Sequence, residues 1–137
     1  MKIDRRVYRY IEYEMYHYLD YKNEIQQVRE DIIHRSPLPP DGMPKGSTMG
    51  DSTSQKVLAL VTSAGIASME KTVNAIDKAI ASLTERHRKI FEMVYVQGRK
   101  DRYRICDEIH ISERSFQYNK IELIQAVGFE LGVIKEI

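Results

Sequence analysis

The sequence predicts an all-α protein, on three observations. Apolar residues recur at helical spacing wherever the chain has a periodic pattern. No strand is visible beside the one loop rich in glycine and proline. The periodic stretches are bounded by helix punctuation, with Thr84, Asp101 and Ser112 as starts and Gly98 and Gly128 as stops. The expected order is an N-terminal helical hairpin or pair (1–35), a flexible linker (36–54), a long connecting helix (55–83) and a terminal unit of three shorter helices (84–137).

In the first segment, Ile11, Tyr18, Ile25 and Ile32 repeat every seven residues, and Tyr21 and Val28 fill the same face. The stripe weakens near His17–Tyr21, where Leu19 and Asp20 are expected to end one helix and cap the next. Six of the nine tyrosines lie between Tyr8 and Tyr21. They read two ways: as rings that cover a small core with their hydroxyls in water, or as a partner or self-association surface.

Residues 36–54 hold all four prolines and almost no large apolar side chain. Such a composition does not offset the entropy of ordering, so a flexible linker is expected. Lys45 precedes Gly46 and the phosphate-loop spacing is missing, so the segment is not read as a phosphate cradle. After it, Leu58, Val61, Gly65, Met69, Thr72, Ile76, Ile80 and Leu83 trace one face of a helix from about Gln55 to Ser82. Val57, Leu60, Ala64, Ala67 and Val73 widen that face. The helix completes a core or forms a homo-oligomer contact.

In the terminal unit, Thr84, or Ser82 with Glu85, starts a helix whose apolar face is Ile90, Phe91, Val94 and Tyr95. Asp101 caps the next, with Tyr103, Ile105, Cys106 and Ile109 inward. A turn through His110 and Ile111 leads to Ser112, the cap of a last helix from about Glu113 to Val127, with Phe116, Leu123, Ile124 and Val127 inward. Two helices joined by so short a turn are the pattern of a helix-turn-helix. The corner usually takes glycine in a left-handed conformation. Histidine there is strained but permitted.

The chain is nearly neutral, with 21 Lys or Arg against 20 Asp or Glu, so binding of nucleic acid must come from local charge. Residues 85–120 carry nine basic side chains against six acidic ones. Arg114, Ser115, Gln117 and Tyr118 are the expected base-reading residues, since Arg and Gln pair with guanine and adenine edges in the major groove. Arg99, Lys100, Arg102, Arg104, Ser112 and Lys120 are the expected phosphate contacts.

Other chemistry is not expected. His17, His34, His87 and His110 lack ligand spacing, so no metal is predicted. Without a carboxylate cluster or an activated nucleophile, no catalytic residue, cofactor or small-molecule substrate is predicted, and the chain is not read as an enzyme. Cys106 is the single cysteine, and there is neither a signal peptide nor an apolar run near the ~20 residues of a membrane span. A cytoplasmic protein that does not enter membranes is expected.

The run SLTERHRKIFEMVYVQGRKDRYRICDEIHISERSFQYNKIELIQAVG resembles the promoter-reading C-terminal region of bacterial sigma factors. More of the chain resembles the RinA family of phage late-gene activators. The shared features are the short helical start, the YKNEIQQVREDII segment after a break, the linker bearing proline and glycine, the TVNAIDKAIASL helix and the sigma-like end. The resemblance implies a phage or prophage regulator in a bacterial cytoplasm that binds double-stranded DNA, acts with host RNA polymerase and activates late or packaging genes. A phage DNA-packaging adaptor like a small terminase subunit is the alternative. That class usually carries its DNA-binding unit first rather than last.

Overall fold

The computed structural model describes residues 3–34 and 49–135, and these are all helical with connecting turns. Six α-helices are present among them: α1 (Arg5–Tyr16), α2 (Tyr18–His34), α3 (Met49–Ala81), α4 (Glu85–Phe91), α5 (Arg102–Ile109) and α6 (Glu113–Leu131). A π-helical turn, Glu92–Val96, continues α4.

Asp4 caps α1 by accepting from the Arg6 N–H at 2.8 Å. The break that follows falls on the single residue His17 rather than at Leu19 and Asp20. Its ring Nδ1 lies 2.8 Å from the Tyr13 carbonyl, which also accepts the His17 N–H at 3.2 Å. A side chain competing for a backbone acceptor perturbs a helix locally. Because Tyr21 N–H still bonds to the His17 carbonyl at 2.8 Å, α1 and α2 form a pair without a hairpin loop.

Part of the expected linker, 36–48, lies outside the described residues. Its remainder is helical, for α3 begins at Met49 instead of near Gln55. Once the apolar stretch beyond residue 55 holds a helix, the unfavorable nucleation step is past, and each residue added ahead of it gains a hydrogen bond that offsets the ordering of its backbone.

One core joins both ends of the chain. Ile11 and Met15 of α1, Ile76 of α3, Ile90 of α4, Ile105 of α5 and Leu123, Ile124 and Val127 of α6 are fully buried together. Helix α6 packs against α1, α3, α4 and α5, so it is the center of the assembly. Its length also differs from expectation. Gly128 lies inside α6, and a Cβ there would come within 2.6 Å of Ile11 Cδ1 and of Ile134 Cδ1. It is used for close approach, and Gly132, with φ of 81°, ends the helix.

Candidate nucleic-acid interface

The corner between α5 and α6 is built by three local devices. Asp101 caps α5, its Oδ1 accepting from the Arg104 N–H at 3.2 Å. His110 takes the left-handed conformation, φ 58° and ψ 48°, the one non-glycine residue with positive φ among those described. That geometry lets the Cys106 carbonyl accept from Ile111 N–H at 3.1 Å, so the end of α5 is satisfied without glycine. Ser112 then caps α6, its hydroxyl accepting from the Ser115 N–H at 3.1 Å. Ile105, Cys106 and Phe116 are buried beneath the corner and fix the two helices to the core.

Tyr103 was expected inward, yet it is 62% exposed. At about 100° per residue, Ile105, Cys106 and Ile109 define one narrow face, and Tyr103 lies more than a quarter turn from its middle. The same arithmetic sorts the expected base-reading residues. Arg114, Gln117 and Tyr118 share one face of α6, with Arg114 and Tyr118 exposed and Gln117 half-buried. The Arg114 guanidinium lies 5.8 Å from the Tyr118 ring center. Ser115 sits on the flank, half-buried, and its carbonyl accepts from the Asn119 amide at 2.6 Å.

The expected phosphate contacts divide into two groups. Lys100, Arg102 and Arg104 are exposed and have no carboxylate within ion-pair distance among the described residues. Arg99, Ser112 and Lys120 are occupied by the protein itself. Arg99 makes a two-armed pair with Glu108, at 2.6 and 2.9 Å, which raises the guanidinium's pKa and lowers that of the Glu108 carboxyl. The Ser112 hydroxyl is spent on its cap. Lys120 lies 3.5 Å from Glu12 of α1.

Glu12 is a residue that local sequence reasoning missed. Its Oε2 accepts from the Tyr95 hydroxyl at 2.8 Å, so it ties α1 to the π-helical turn as well as to α6. Burial, with Glu12 second, pushes the Tyr95 hydroxyl well above its ordinary range. The partners are 83 residues apart in sequence, and no local pattern announces such a pair. Tyr16 was read only as one of a tyrosine cluster. Its ring packs at a tilt of 54° against that of Tyr95, with ring centers 4.7 Å apart, and it lines a cleft of about 560 Å³ together with Lys100, Arg102, Gln117 and Lys120.

Cys106 is buried, and that burial raises its thiol above the usual range, as for a packed small side chain. Among the described residues, no group of three or more His, Cys, Asp or Glu side chains is placed to hold a metal ion. Nor is any described helix long and apolar enough to cross a membrane. Comparisons with family models, with curated proteins and with solved structures return no match to this chain.

Proposed function

We propose that this chain is a sequence-specific DNA-binding regulator of transcription, with α5 and α6 acting as a helix-turn-helix. One observation carries the reading. A helix capped by Ser112 leaves a left-handed corner with Arg114, Gln117 and Tyr118 on its outer face, and Gln117 shares a cleft with the exposed cations Lys100 and Arg102, with Arg104 exposed on the same helix as Arg102. Arg and Gln on such a helix read guanine and adenine edges, and cations at the preceding helix hold the phosphates. The bidentate pair of Arg99 with Glu108 then serves the frame, bracing the segment after Gly98 against α5.

The likeness to sigma-factor ends and to RinA-like proteins adds the biological side of the proposal: an activator of phage late or packaging genes that works with host RNA polymerase. Selection of binding sites from random duplexes tests the DNA reading. Arg114→Ala is expected to relax base preference at one position, by about 1–3 kcal/mol of discrimination. Arg102→Ala is expected to weaken binding to all duplexes alike and to reduce the salt slope by about one. Binding unaltered by both changes would refute the proposal.

A further inference from the structure

We infer that the cleft between the end of α1 and the start of α5 seats a phosphodiester unit of the DNA backbone, and that Tyr16 of α1 is one of its contact residues. The inference rests on the DNA-binding reading above and extends the interface to a helix from the opposite end of the chain.

The cleft measures about 560 Å³, and its walls carry Tyr16, Lys100, Arg102, Tyr103, Gln117 and Lys120 together with one carboxylate, Asp101. A phosphodiester presents a diffuse anion between two largely apolar sugar faces. Lys100 and Arg102 outnumber the cleft's one carboxylate, Asp101, and neither is paired with a carboxylate within ion-pair distance among the described residues, while the Tyr16 and Tyr103 rings supply flat apolar surface with hydroxyl donors. Lys120, already 3.5 Å from Glu12, shapes the wall more than it adds net charge.

Position supports the same occupant. Gln117 belongs both to the cleft and to the outer face of α6, so a strand whose bases meet Arg114 and Tyr118 would carry its backbone past this opening. Tyr16 is also held in place, although it is 47% exposed. Its ring packs on Tyr95, which is itself buried and bonded to Glu12. A contact residue fixed before binding loses little entropy when the ligand arrives.

The test is a set of anisotropy titrations of the full chain against a labelled duplex of random sequence, across a range of salt. Tyr16→Lys is expected to tighten binding and to steepen the salt slope by about one, whereas Tyr16→Glu weakens binding about tenfold. The same substitutions at Tyr10, equally exposed at 46% but on another side of α1, control for net charge. Near physiological salt they should shift affinity clearly less than the Tyr16 substitutions, because Tyr10 lies about 120° around α1 from Tyr16 and does not line the cleft. Should the Tyr16 variants lose helical signal, Tyr16→Phe removes only the hydroxyl donor: it is expected to weaken binding several-fold, and unchanged affinity would overturn the inference.

Equal effects at Tyr16 and Tyr10 would overturn the inference. If Arg114→Ala still altered base preference in that case, the DNA-binding reading would stand without this seat. Failure of the unmodified chain to bind any duplex would remove both.

Discussion

The two ends of α6 live in different surroundings. Toward its C-terminus, Leu123, Ile124 and Val127 are entirely buried, and Gly128 is packed too closely against Ile11 to admit a Cβ without displacement. Toward its N-terminus, Arg114 and Tyr118 face solvent, and Phe116 alone of the first turns is buried. Burying one Leu or Ile contributes roughly 1.5–3 kcal/mol, whereas a serine cap contributes about 1. Helix α6 is therefore gripped chiefly from its core end, while Ser112 and α5 hold its first turns.

Leu123→Ala tests the grip. It removes a fully buried side chain where α6 meets its neighbors, and a loss of about 2–5 kcal/mol is expected in urea unfolding. Arg114→Ala, at the other end of the same helix, should alter stability by no more than about 0.5 kcal/mol. Similar losses from the two substitutions would erase the distinction between the ends.

A smaller effect is expected from Tyr95→Phe, which deletes the hydroxyl that donates to Glu12 at 2.8 Å. A hydrogen bond to a charged, partly buried acceptor is worth about 1.5 kcal/mol, and Lys120 still faces the carboxylate afterwards. If the urea midpoint near neutral pH did not move, Glu12 would not be the tie between α1 and the terminal helices that its geometry indicates.

Much of the fold was legible because its signals are local. Asp101 and Ser112 cap where their side chains and positions say they should, and His110 takes the strained conformation expected at that corner. Ile11, Tyr18 and Ile25 of the heptad face are buried, and the side chain of the fourth, Ile32, lies outside the described residues. What sequence could not show depends on distant partners. Whether Gly128 is a stop or a packing site is decided by Ile11 and Ile134, and whether Arg99 and Lys120 are free is decided by Glu108 and Glu12. The misplacement of Tyr103 has another cause. In a helix of eight residues, a few apolar positions define the inward face poorly, and an aromatic ring beside them is easily assigned to the wrong side.

The smallest effect concerns the Arg99–Glu108 pair, which braces the segment leading into α5 at the exposed end of the molecule. Arg99 holds the Glu108 carboxyl below its ordinary pKa. A carboxyl depressed in the folded state adds stability that is fully present above its unfolded pKa and is lost as pH falls through the folded value. Glu108→Gln should therefore lower the unfolding midpoint slightly near neutral pH, and the difference from the unmodified chain should shrink in acid. The pair is solvent-exposed, so the loss is small. In the same variant Arg99 is released beside Lys100 and Arg102. Affinity for every duplex should then rise modestly, with a salt slope steeper by about one. A midpoint difference that persists unchanged in acid would mean that side-chain packing, rather than the carboxylate's charge, provides the brace.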